Sequence, residues 1–299
     1  DGGDGTARAF ASATGAKLIS TRVTGPLGGK VRAHWAWDAD NHLAVIEMAQ
    51  AAGLWQVPLA RRNPMKTTTR GVGELVLAAL KHGAKRIIVG LGGSATVDGG
   101  AGLAQALGWQ LLDKNGRSIV SGGEGLLTLA RIVPPTNHPA RGIEFICATD
   151  VSNPLLGKDG AAKVFGPQKG ATAKDVIALE KGLANLDLCL MRDLGKSVAK
   201  MKGAGAAGGM GAAMAAFLNA RAVSGIETFL EHVHFQQQAK GAQLVLTGEG
   251  RLDRQTLFGK APAGVAKAAT TLGIPVIALA GSLGEGWQTL LKKDFLAAF

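Results

Sequence analysis

The stretch Arg86-Ile-Ile-Val-Gly-Leu-Gly-Gly-Ser-Ala-Thr-Val-Asp-Gly-Gly-Ala-Gly102 leaves a chain few ways to fold. Ile87, Ile88 and Val89 form a short β-branched apolar run, the signature of a strand buried on both faces. Glycines at 90, 92 and 93 break it, and apolar residues resume at helical spacing from Ala101 to Leu107. A strand that turns through glycines into a helix presents backbone N–H groups to a bound anion. The same turn carries Asp98, which a bare phosphate cradle does not require. An acid beside an N–H cradle suggests a phosphate handled together with a metal ion.

The rest of the chain alternates strand and helix signals. A helix over 4–14 closed by Gly15 precedes strands at 17–24, 30–37 and 41–48, whose short connections suit an antiparallel meander. A helix over 73–82 follows, with Gly83 as its C-cap. Lys114-Asn115-Gly116 marks a hairpin between 110–113 and 119–120. A strand at 143–148 ends in Thr149-Asp150, and Thr172 caps a long helix to about Met191. Gly203 to Asn219 reads as a glycine loop and a small-residue helix. A strand at 244–246, a helix opened by Pro262 and a strand at 274–280 complete the chain. The fold class is α/β, with at least one mixed sheet.

Composition narrows the function. The net charge of +11 suits an anionic partner, but pairs such as Arg61-Arg62 and Lys292-Lys293 are short, and Tyr is absent. A small anionic substrate therefore fits better than nucleic acid. Cys147 and Cys189 lie inside apolar segments, as buried thiols of a reducing, cytoplasmic compartment do. The run Gly203–Leu218 is too short to span a bilayer, so no membrane partner is expected. The abrupt ends suggest a fragment.

Glu47, Asp98, Asp150, Glu249 and Asp253 all stand at or just beyond strand ends, where ligands of open α/β sheets bind. Carboxylates beside glycine turns suit Mg²⁺ bridged to phosphates. Gly90-Leu-Gly-Gly-Ser-Ala95 also fits the dinucleotide pattern G-x-G-x-x-A, with Asp113 about twenty residues on, which keeps an NAD-dependent oxidoreductase open. Against it, Asp98 would set negative charge beside the pyrophosphate. Gly248-Glu-Gly-Arg-Leu-Asp253, with Lys260 ahead of Pro262, forms a second candidate anion site. His232-Val-His234 has metal-ligand spacing without a third ligand and reads as surface histidines.

Nine blocks recur in a fixed order: Asp1-Gly-Gly-Asp-Gly-Thr6, Ala44-Val-Ile-Glu-Met-Ala49, Arg62-Asn-Pro64, Gly90 to Gly100, Ala148-Thr-Asp-Val-Ser-Asn-Pro-Leu155, Val164-Phe-Gly-Pro-Gln-Lys-Gly170, Gly203 to Gly209, Thr247 to Asp253 and Gly259-Lys-Ala-Pro262. In these the chain resembles the bacterial glycerate kinase family that lacks a Walker loop. The resemblance implies ATP- and Mg²⁺-dependent phosphorylation of D-glycerate, most simply to 2-phosphoglycerate. It also implies two α/β domains, one Rossmann- or flavodoxin-like and built from the chain ends (1–6 and 240–299, incomplete here), the other an inserted mixed-sheet domain (7–239). A homodimer is the expected assembly.

Gly92, Gly93, Ser94, Gly208 and Lys260 are then candidates to hold phosphates, and Asp98, Asp150 and Glu249 to hold Mg²⁺ or take the hydroxyl proton. Arg62 or Arg251 would clamp the carboxylate, with Asn153, Lys169 and Asp253 lining the site. The chain departs from the family at Asp4, usually Glu, and at Arg70 and Val72, usually an aromatic residue and Thr. It also lacks the family's N-terminal Pro-Asp-Ser-Phe-Lys segment, which leaves a catalytically inactive binding fragment as a further alternative.

Overall fold

In the computed structural model, which describes residues 2–257, 261–291 and 294–299, the chain opens with helix α1 (Thr6–Thr14), ended by left-handed Gly15. The meander forms as read: β1 (Lys17–Thr24), β2 (Lys30–Asp38) and β3 (Leu43–Glu47) pair antiparallel in sequence. Short α2 (Ala49–Ala52) and longer α3 (Arg70–Lys81) lead to β4 (Arg86–Gly90). Ile87, Ile88 and Val89 of β4 are all buried, as a strand covered on both faces requires. Then come α4 (Ala101–Ala106), β5 (Gln110–Leu112), β6 (Arg131–Val133) and β7 (Glu144–Ala148). Helices α5 (Ala161–Phe165), α6 (Ala173–Leu194) and α7 (Ala206–Leu218) and strand β8 (Arg221–Val223) follow.

These strands make a six-stranded mixed sheet in the order β1-β2-β3-β4-β7-β8, with β3, β4 and β7 parallel. Trp35, Ile46, Leu75, Leu103, Leu126 and Leu179 are fully buried in one continuous core with it. Cys147 and Cys189 are free, buried thiols.

The expected hairpin closes over Lys114-Asn115-Gly116: Asp113 N–H donates to Arg117 O at 2.8 Å, Ile119 N–H donates to Leu111 O at 3.0 Å, and Leu112 bridges Ser118 antiparallel. Strand β5 also pairs with β6, a second partner that the turn signal does not announce. Ile119 and Ile132, one from each partner segment, are both buried in the core, whereas Val120 is left exposed.

Helix α6 starts on a complete capping box, in which Thr172 Oγ1 accepts from Asp175 N–H and the Asp175 carboxylate accepts from Thr172 N–H. Thr172→Ala is expected to cost about 1 kcal/mol, lowering the melting temperature by about 2–4 °C. An unchanged thermal midpoint would show that the cap contributes nothing.

The chain divides into two compact units, 2–222 and 223–299. The second contains α8 (Gly225–His232), α9 (Phe235–Gln238), β9 (Val245–Glu249), α10 (Ala261–Thr270), β10 (Val276–Ala280) and β11 (Ala297–Ala298). Its strands are parallel in the order β11-β10-β9, around a small core of Leu252, Ala266, Val276, Ala278 and Leu290. The division falls at 222/223, where 239/240 is expected from sequence. Helix α8 goes with the second unit because Ile226 packs on Gly264 of α10. Residues 2–6 go with the first because Gly92 N–H donates to Gly2 O and Gly5 N–H to the Glu47 carboxylate. Among the described residues no helix is long and apolar enough to cross a membrane.

Candidate active site

Strands β3, β4 and β7 end level with one another, Glu47 opposite Gly90 and Gly90 opposite Ala148. Beyond this edge residues 91–100 form a long loop before α4 begins at Ala101. The loop is tied to its neighbours through the backbone: Leu91 N–H to Ala148 O, Ala95 N–H to Ala52 O and Gly99 N–H to Gly208 O, at 3.1, 2.8 and 3.1 Å. Gly90 and Gly92 lack a Cβ because the backbone of Gly2 and Gly3 lies where it would stand.

The 203–209 segment closes on the same loop. Ala207, Gly208 and Gly209 are left-handed (φ 53, 72 and 93°), which breaks the first turn of α7 and sets Gly208 against the backbone of Thr96 and Val97. Gly203 and Gly205 N–H groups donate to the carbonyls of Ser152 and Asn153, joining the β7 loop to this cluster. Gly92, Gly93, Ser94, Asp98, Asn153 and Gly208 are therefore brought to one edge of the sheet. Asp150, at the end of β7, is half-buried at that edge.

Asp98 is only 1% exposed, and its carboxylate accepts from Thr69 N–H (2.8 Å), Thr69 Oγ1–H (2.9 Å), Gly100 N–H (3.0 Å) and Gly102 N–H (3.3 Å). Burial pushes its carboxyl above the usual carboxylate range, opposed by those donors. With its lone pairs spent on the fold, Asp98 does not fit a metal ligand or a proton acceptor for substrate. Its role is to knot the loop to the start of α3. Lys169, expected as a lining residue, is also buried (2% exposed), and its Nζ donates to Ser94 Oγ and Thr96 O, both at 2.7 Å. Burial pushes that ammonium down to about 7, against the upward pull of the Asp98 charge. Arg62 is half-buried, with its Nε directed at Val57 O and its backbone against Gly170.

Glu47 is another strand-end acid committed to structure. Its oxygens accept from the Gly5 and Ala7 N–H groups, so the carboxylate caps α1, and burial raises its pKa. The sequence reading gives no role to Thr69; the run Thr67-Thr68-Thr69 ahead of α3 is the signal that could have found it.

In the second unit, Glu249 ends β9, and Arg251 and Asp253 follow in the loop after it. Arg251 is exposed and 3.7 Å from the Asp253 carboxylate, and Thr256 Oγ1 donates to Glu249 at 3.4 Å. Lys260, like Asp1, Gly259, Lys292 and Lys293, lies outside the described residues. His232 Nδ1 lies 2.8 Å from Thr228 O, and among the described residues no cluster of three His, Cys, Asp or Glu side chains stands ready for a metal.

The NAD reading loses its geometry. No helix starts at the Gly90–Ala95 loop, and Asp113 is used by its own turn, accepting from Asn115 and Arg117 N–H groups. Comparison with known proteins gives the alternative. The sequence profile of the glycerate kinase family matches residues 1–299. The chain belongs to the glycerate kinase family. It is therefore a phosphotransferase by kinship, and the oxidoreductase alternative falls away. It is 48% identical to glycerate kinase of Halalkalibacterium halodurans and 47% identical to glycerate 2-kinase of Escherichia coli K12, covering 100% of this chain and 79% of each relative. A crystal structure from Salmonella typhimurium LT2, provisionally called glycerate kinase 2, superposes with a TM-score of 0.88 at 46% identity, over 100% of this chain and 78% of that one. The glycine loops that define the site thus belong to a kinase family, and ATP is the substrate that membership implies.

Proposed function

We propose that the chain transfers the γ-phosphoryl group of ATP to the 2-hydroxyl of D-glycerate. The observation that carries this reading is the cradle at the ends of β3, β4 and β7. There the Gly92–Asp98 loop and the Ala207–Gly209 turn meet, in a chain related over its whole length to glycerate kinases. Phosphoryl transfer asks mainly for positioning and for stabilisation of charge on the transferred group. Backbone N–H groups of Gly93, Ser94 and Gly208 would supply that without a Walker lysine, while Gly92, whose N–H is bonded to Gly2 O, shapes the loop. Asn153 flanks them.

Mg²⁺ fits the donor chemistry. The ion needs only one or two carboxylates beside phosphate oxygens and water, so a three-acid cage is not required. Asp150, beside the cradle, would hold it, and it would neutralise charge on the phosphates. The same acid is the candidate to take the hydroxyl proton. Arg62 would grip the glycerate carboxylate.

ADP release coupled to D-glycerate, with the product identified by ³¹P NMR, tests the reading. The expected product is 2-phosphoglycerate. A 3-phosphate product would move the reaction to the other hydroxyl. Tight nucleotide binding with no D-glycerate-dependent ADP release would favour a binding protein instead.

A further inference from the structure

Most ties on the Gly92–Asp98 loop are bonds that do not titrate: Ala95 N–H to Ala52 O, Thr67 Oγ1–H to Ala95 O, and Gly99 N–H to Gly208 O. The tie made by Lys169 does titrate. It comes from the short helical turn Pro167–Lys169, ended by left-handed Gly170, and reaches Ser94 and Thr96 of the loop from a buried position. We propose that Lys169 is a positioning residue for phosphoryl transfer, whose ammonium holds the Ser94 hydroxyl oxygen and the Thr96 carbonyl inward so that the loop offers N–H groups to the nucleotide phosphates.

The argument is one of polarity. A carbonyl or hydroxyl lone pair turned toward a phosphate would repel it, so an anion cradle needs its acceptors bound on the far side. Lys169 binds two of them and, being buried, does not itself meet the substrate. Thr96 Oγ1 is buried with no hydrogen-bond partner among the described residues, a cost of about 1–3 kcal/mol. The loop conformation is thus imposed by its surroundings against a local polar preference. Among the described residues the charge that acts on Lys169 is that of Asp98 on the loop itself; its hydrogen-bond partners Ser94 and Thr96 are neutral. Because burial brings the ammonium to about 7, its charge is lost near neutrality and the two bonds weaken as pH rises. Stability moves the other way. The unfolded chain binds this proton more tightly than the native one, so the Lys169 contribution makes the fold more stable between about 7 and the ordinary 10.5. Opposite pH trends in activity and stability are a signature that a merely structural lysine does not give.

The test is the pH profile of kcat/KM for ATP, and it rests on the kinase reading above. The parent should show an alkaline limb near 7. In Lys169→Met the limb should vanish and KM for ATP should rise by about 10–100-fold, the worth of a lost charge-assisted hydrogen bond, with KM for D-glycerate little changed. Ser94→Ala removes one acceptor of the ammonium and spares the core, so its limb should move to lower pH even where Lys169→Met fails to fold. A limb at the same pH in Ser94→Ala as in the parent overturns the proposal, and so does an equal rise in both KM values. A parent with no turnover overturns the kinase reading alone. Amide exchange at Gly92–Thr96 then decides: protection lost above about pH 7 supports the Lys169 role, and protection constant across that pH overturns it.

Discussion

Asp98→Ala is expected to destabilise the larger unit by about 3–5 kcal/mol, in the range found when a buried charge loses its partner. Four donors point at that carboxylate: Thr69 N–H, Thr69 Oγ1–H, Gly100 N–H and Gly102 N–H. Alanine would strand the three amides and the hydroxyl in a site closed to water, each at about 1–3 kcal/mol before relaxation. It would also take away the charge that draws the Lys169 ammonium upward. Asp98→Asn keeps the volume and one oxygen, so about half of that loss should return, while its amide group faces donors it cannot accept from. With the negative charge gone, the Lys169 ammonium should titrate below about 7, and the pH range over which stability climbs should begin correspondingly lower. Urea unfolding of the two variants at several pH values measures both effects. An Asp98→Ala protein within 1 kcal/mol of its parent would show that the knot between the loop and α3 is not where the stability lies, since breaking a buried network is expected to cost more than about 1 kcal/mol.

The elements were legible where the local signal was strong. Ile87-Ile88-Val89 ended by Gly90 could only be a buried strand, and Thr172 with Asp175 wrote the start of α6 three residues apart. The hairpin after β5 was legible from its turn, but the second partner, β6, was not, because a turn signal fixes where a chain reverses and not which further strand joins the pair. The same limit applies at the site. Glycine spacing located the cradle, since a glycine whose Cβ position is filled by backbone leaves a mark in sequence. The strand-end acids were ambiguous. Glu47 and Asp98 look in sequence like metal ligands, and both are consumed by backbone N–H groups that only the folded chain brings to them. Sequence shows which residues carry oxygen atoms, and only the fold shows which of those oxygens are left over for a ligand.

Gly208 offers the sharpest separation of conformation from contact. Both Gly208 (φ 72°) and Gly116 (φ 76°) are left-handed, so alanine at either incurs the same backbone penalty, about 1–2 kcal/mol. At Gly116 nothing lies within 4 Å of the new methyl group, and that penalty should be the whole effect. At Gly208 the methyl group would overlap Thr96 O and crowd Val97 Cα, so either the turn or the Gly92–Asp98 loop must move. Gly208→Ala should therefore cost about 3 kcal/mol or more, in the tail reserved for overpacking and strained backbone. A loop displaced by an ångström no longer presents its N–H groups to the phosphates, and kcat/KM for ATP should fall on the order of 100-fold at temperatures where the variant is folded. Gly116→Ala should leave the kinetics alone. Thermal unfolding and steady-state kinetics on the pair give both readouts. If Gly208→Ala proved as mild as Gly116→Ala in both, the left-handed turn would be a passive connection and the nucleotide phosphates would have to bind elsewhere. If it lost stability and kept its kcat/KM, the contact between the turn and the loop would serve the fold alone. Only the joint loss ties the close approach of Gly208 to Thr96 to the handling of phosphate.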